Sequence, residues 1–191
     1  PFSLLCLPVF ISKIQFTLEM VLKSTKKVQA PDEFQTLAKE FGIKLKGMKI
    51  VDGIFNAGAT ADGYVIMGTS LLKEFNLNQQ KAVLAHEFAH LKRRHHMQLG
   101  LYLLFVFPYI LITSSYLPKA ISCMVSIAMM IYFIMPVQWL SEFEADECAA
   151  KIIGIDNMIL TLESFPGIPC EGSEDHPPIS ARIKRLKTLS S

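Results

Sequence analysis

Two long apolar runs constrain this chain more than any other feature. Between Arg94 and Glu142 lie 47 residues with one formal charge, that of Lys119. Met97 to Leu117 is one run and Ala120 to Leu140 is the other. Each is about 20 residues, enough as a helix to cross ~30 Å of hydrocarbon. Pro118-Lys119 separates them, so the two form a tight helical hairpin. Pro108 and Pro136 lie inside the runs, where membrane helices tolerate proline better than soluble ones do. The alternative is a pair of fully buried core helices. A chain of 191 residues has little protein with which to wrap both on every side. The sequence therefore predicts a transmembrane hairpin over residues 97–140, with the lipid bilayer as a partner.

Composition agrees. Hydrophobic residues make up 51% and charged residues 19% of the chain, and the mean hydropathy is +0.34. These values exclude a disordered chain, a collagen-like chain and a disulfide scaffold. Lys and Arg number 19 against 17 Asp and Glu. That balance gives no electrostatic case for nucleic acid as a partner. Cys6, Cys123, Cys148 and Cys170 form no CxxC pair and read as free thiols. Residues 1–12 are an apolar N-terminal segment, too short to span a bilayer alone and readable as part of a membrane helix. Lys13, Lys23, Lys26 and Lys27 follow it, and Lys92, Arg93 and Arg94 precede the hairpin, whose tip carries only Lys119. The excess of basic residues puts the polar parts on the cytoplasmic side of the cell membrane. Those parts, residues 13–96 and 141–191, read as two pieces of one domain that the hairpin interrupts.

The polar parts are mixed in character, which predicts an α+β fold, mainly helical with a small β-sheet. Pro31-Asp32-Glu33 opens a helix carrying Phe34, Leu37, Ala38 and Phe41, and Gly42 marks its end. Lys49 to Phe55 and Tyr64 to Met67 read as short strands, with residues 56–63 as the connection. Asn78 is the expected N-cap of a helix from Gln79. A further helix is expected from about Ser141 to Ile153, stopping near Gly154, and Pro177-Pro178 opens a last one through Ile179, Ile183 and Leu186.

His86-Glu87-Phe88-Ala89-His90 is an HExxH motif in helical context. Positions i and i+4 share a helix face, so both imidazoles can reach one zinc ion. Glu87 can then address a water on that ion, whose pKa falls toward ~7. A catalytic zinc needs a third protein ligand and an open position. His96 has the spacing of a third histidine, but the intervening glycine of such motifs is replaced by Arg93. Lys92, Arg93 and Arg94 read as a continuing helix, on which His96 lies about 240° round the axis from His90 and about 9 Å along it. His95 lies about 140° round. Both read as a solvated cluster at the membrane interface. Glu142 is the better candidate. Glu142 and Asp146 are i and i+4 on the helix that follows the hairpin, and a hairpin returns to the face it left. Glu142 can ligate, and Asp146 can accept a hydrogen bond from a ligand histidine.

HExxH, two apolar spans and then Glu142-Phe143-Glu144-Ala145-Asp146 resemble the integral-membrane gluzincin metalloproteases, which include the HtpX-like proteases and the CAAX prenyl proteases. Asn56-Ala57 before Tyr64 to Leu72 is similar to that family's edge-strand segment, and His176-Pro177-Pro178 with Arg182-Ile183 to its C-terminal segment. The resemblance implies a zincin-type domain with one zinc on His86, His90 and Glu142, and Glu87 as general base. It implies that Asp146 supports a ligand histidine, that His176 donates to the oxyanion and that Arg182 helps place it. It implies that Asn56, Ala57, Tyr64, Val65, Ile66 and Met67 hold a polypeptide substrate by strand addition. The many spans of the CAAX prenyl proteases are not seen here, so the small HtpX-like endopeptidase is the expected type. A prenyl-peptide protease and a zinc-dependent membrane signalling module are the alternatives.

Overall fold

The computed structural model describes residues 25–129, 132, 135–166 and 176–189. The N-terminal segment 1–12, Lys13, Lys23, Cys6 and Cys170 lie outside them. The chain is mainly helical with one small mixed sheet. Strand β1 (Thr25–Val28) is followed by helix α1 (Asp32–Glu40). Asp32 and Glu33 sit at the positive end of α1 and Lys39 in its last turn, which suits the helix dipole. Phe34, Leu37 and Ala38 form its buried face, and Gly42 turns the chain out at φ 74°.

Strands β2 (Gly47–Val51), β3 (Ala57–Ala59) and β4 (Tyr64–Gly68) follow. The sheet order is β1-β2-β4-β3, with β2 parallel to β4 and the other two pairings antiparallel. Strand β3 lies within residues 56–63, whose turn-forming residues mark a connection. Ala57-Gly58-Ala59 has no alternation of large apolar side chains to mark it, and its pairing with β4 makes it a strand. Gly68, which ends β4, meets the carbonyl of Ile54 so closely that a Cβ there would lie 1.8 Å from its oxygen. Only glycine lets the chain entering β3 cross at that point.

Helix α2 (Thr69–Glu74) leads into α3 (Leu77–Arg93), which carries HExxH. Its N-cap is Asn76, not Asn78. Asn76 Oδ1 accepts from the Gln79 N–H and Gln79 Oε1 accepts from the Asn76 N–H, both at 3.1 Å. This reciprocal pair satisfies two backbone donors and outcompetes the single cap that Asn78 offers.

Helix α3 does not run on past Arg93. Arg94 adopts the left-handed conformation at φ 56°, ψ 36°, and a new helix, α4 (His95–Tyr116), departs from it. Leu117 and Pro118 join α4 to α5 (Lys119–Met129). Helix α6 (Met135–Ile153) begins inside the second apolar run, earlier than the expected start at Ser141, and continues through Glu142 to Ile153. Gly154, at φ 90°, separates it from α7 (Ile155–Ser164), and α8 (Ile179–Thr188) follows Pro177-Pro178 as expected. Among the described residues, no helix is long and apolar enough to cross a membrane.

One core joins the elements before α4 to those after α5. Phe34, Met67, Leu71, Leu84, Phe88, Ala145, Ala149, Met158 and Leu186 are all buried in it. Helix α3 lies at its centre, packed on α1, β3, α6 and α7. Burying side chains such as Phe88 stabilises the fold by about 1.5–3 kcal/mol each, and it fixes the azimuth of α3. Cys148 packs at the edge of this core, and Cys123 and Cys148 are free thiols.

Candidate metal centre

Helices α3 and α6 bring the expected ligands to one point. His86 and Glu142 are buried, and His90 is partly buried. His86 Nε2 lies 3.0 Å from His90 Nε2 and 3.4 Å from Glu142 Oε2, and His90 Nε2 lies 3.2 Å from Glu142 Oε1. Zinc bound tetrahedrally at about 2.0–2.1 Å sets its ligand atoms roughly 3.3–3.4 Å apart, so these separations fit such an ion. The donor set, two imidazoles and a carboxylate, suits the same metal.

The outer nitrogens explain why both Nε2 atoms face inward. His86 Nδ1–H donates to Asp146 Oδ1 at 2.9 Å, leaving the Nε2 lone pair for the centre. Asp146 is itself held by Arg182, from Nε to Oδ2 and from Nη2 to Oδ1, each at 2.6 Å. Asp146 and Arg182 are both buried. The bidentate fork of Arg182 meets the carboxylate behind His86, because the core shared by Ala149 and Leu186 seats α8 across α6. Arg182 Nη2 also approaches Glu142 Oε2 at 3.7 Å.

Charge is concentrated here. Burial disfavours the His86 cation, yet the charge of Glu142 and the bond to Asp146 outweigh it and push the imidazole up to about 10. Burial acts likewise against the Glu142 carboxylate, but His86 and His176 hold it well below the ordinary range. Lone pairs that converge in this way demand a cation between them, either a proton on His86 or a metal ion.

Glu87 follows His86 on α3. Burial raises its pKa, the Glu142 charge adds to the rise, and His86, His176 and the Ala59 N–H oppose it. His176 Nδ1 lies 2.8 Å from Glu142 Oε2, with its side chain 44% exposed beside the centre.

The substrate segment divides. Strand β4 is interior, bonded to β2 on one side and β3 on the other, so the backbone of Tyr64, Val65, Ile66 and Met67 has no edge to offer. Among the described residues, the outer edge beyond β4 is that of β3. Asn56 and Thr60 bond to β4, so the two-residue alternation turns Ala57 and Ala59 outward. Asn56 Oδ1 accepts the Ala57 N–H at 2.8 Å, and the Ala59 N–H faces Glu87.

His95 departs most from expectation. It is 4% exposed, not solvated. Its Nδ1 lies 2.9 Å from His90 Nδ1, and its Nε2 lies 3.2 Å from Glu144 Oε2. The left-handed turn at Arg94 places it there, and nothing in Lys92-Arg93-Arg94 signals such a turn. The side chain of His96 lies outside the described residues.

Known proteins are similar to this chain. The chain is 27% identical over 208 residues to Protease HtpX of Ectopseudomonas mendocina, covering 81% of this chain and 70% of that protein. It is 28% identical over 172 residues to a Protease HtpX homolog of Neisseria meningitidis, covering 71% of this chain and 62% of that one. The crystal structure of S. mikatae Ste24p has a similar fold, with a TM-score of 0.65 at 17% identity over 93% of this chain and 57% of that one. The model of peptidase family M48 matches residues 24–190, nearly the whole sequence, and the chain belongs to that family of metalloproteases.

Proposed function

We propose that this chain is a membrane-bound zinc endopeptidase that hydrolyses peptide bonds of membrane or unfolded polypeptides at the cytoplasmic face. The observation that carries the reading is the convergence of His86 Nε2, His90 Nε2 and the Glu142 carboxylate beside Glu87. These three side chains would hold one zinc ion. When bound, zinc supplies a water of lowered pKa and polarises the scissile carbonyl.

The other steps belong to the protein. An extended substrate adds to the outer edge of β3, donating to the outward carbonyls of Ala57 and Ala59, while β4 supports that strand from behind. Glu87 takes the proton of the attacking water on its carboxylate and passes it to the leaving amide nitrogen. A carboxyl raised by burial suits a group that must both accept and release a proton. His176 donates an N–H to the developing oxyanion. Asp146, fixed by Arg182, holds the His86 ring.

Residues 13–96 and 141–191 are read as one catalytic unit and residues 97–140 as its membrane hairpin. Leu101, Leu104, Ile112 and Met124 support the hairpin, since each is more than half exposed on α4 or α5 and such a surface suits lipid. Casein cleavage by detergent-purified wild type beside Glu87→Gln, with zinc content measured on both, tests the reading. Wild type should cleave, and Glu87→Gln should keep its zinc and lose turnover. A fully active Glu87→Gln would overturn it.

A further inference from the structure

We infer that His95, anchored by Glu144, is a positioning residue that holds His90 in its metal-binding tautomer and orientation. The inference deepens the zinc reading above and rests on it. A carboxylate only accepts, so the contact of His95 Nε2 with Glu144 Oε2 at 3.2 Å puts the proton on Nε2. His95 Nδ1 is then a lone pair, and it faces His90 Nδ1 at 2.9 Å. His90 must supply that proton, which leaves His90 Nε2 bare and turned toward His86 and Glu142. The other Glu144 oxygen is taken by Arg93 Nε at 3.0 Å, so Oε2 is left to His95.

The backbone is bent for this contact. Arg94 is the one non-glycine residue at positive φ among the described residues. On an unbroken helix, His95 would lie about 140° round from His90. A left-handed non-glycine residue carries a steric cost and persists where its surroundings compensate. Here it swings a histidine that follows the exposed Lys92, Arg93 and Arg94 into a buried seat. Both ligand histidines are then tied through their outer nitrogens to α6, His86 by Asp146 directly and His90 through His95 to Glu144. His95 sits against the nitrogen of His90 that faces away from Glu142, so it orients a ligand and does not add one.

The test is zinc affinity of the full chain in detergent, by competition with a chromophoric chelator, together with the visible spectrum of the cobalt-substituted protein. Wild type, His95→Ala, His95→Asn and Glu144→Ala are compared. His95→Ala should bind zinc about 10–100-fold more weakly and shift the cobalt bands. His95→Asn, whose Oδ1 can stand where Nδ1 stood, should recover most of that loss. Glu144→Ala, on a partly exposed side chain, should weaken zinc in the same direction and keeps the test open if His95→Ala fails to fold. Unchanged affinity and spectrum in His95→Ala would overturn the inference. So would equal weakening in His95→Ala and His95→Asn, which would mark a packing role alone. Failure of the zinc reading itself shows separately, as wild type that binds no zinc.

Discussion

Arg182 closes a two-pronged hydrogen bond on Asp146, with both contacts at 2.6 Å and both side chains buried. The same Oδ1 that accepts from Arg182 also accepts from His86. Helix α8 thus sets the orientation of His86 through one carboxylate. Arg182→Ala strips the buried Asp146 of its bidentate partner and leaves it only His86, and the metal-free protein should lose up to about 3–5 kcal/mol in urea denaturation. Arg182→Lys keeps the charge but not the fork, so its loss should be smaller.

The pH dependence has two arms in the metal-free protein. Burial raises the Asp146 pKa, but Arg182 and His86 outweigh it and hold it below 3.8. Its contribution is present above that ordinary value and is lost as pH falls through the folded value. His86 is raised from 6.5 to about 10. Its contribution is complete below about 6.5 and is lost as pH rises through about 10. Between those values, zinc must displace the His86 proton. Calorimetric titration at pH 8 in two buffers of different ionisation enthalpy should show release of about one proton. Zinc binding without proton release would contradict this account.

Ala59→Pro removes the outward N–H of β3, which bonds the Glu87 carboxyl. It should lower kcat through Glu87 and also raise KM for an extended peptide, because the strand edge is altered. An unchanged KM would argue against strand addition at β3.

Gly68→Ala puts a Cβ 1.8 Å from the Ile54 carbonyl oxygen, which is backbone and cannot swing aside. The crossing into β3 must shift. Peptide cleavage should fall more than zinc affinity does, because β3 moves while α3 and α6 do not.

His176→Ala should keep zinc and lower kcat about 10²–10³-fold, as expected for removal of an oxyanion donor. A loss confined to zinc content would instead assign His176 to holding Glu142, which it already meets at 2.8 Å.

The sequence by itself determined what depends on local spacing. His86 and His90, and Glu142 and Asp146, are each four residues apart on a helix, and that period places each pair on one face whatever surrounds it. The α1 start at Pro31, the stop at Gly154 and the start of α8 at Pro178 follow from residues whose backbone preferences act alone. Tertiary structure decided the rest. Whether Ala57–Ala59 or Tyr64–Gly68 is the sheet edge depends on which strand each one meets. Arg182 finds Asp146 only because α8 packs on α6. His95 is buried only because Arg94 takes a left-handed conformation that its own side chain disfavours. Such conformations are chosen by the contacts they permit, and those contacts join residues far apart in the chain.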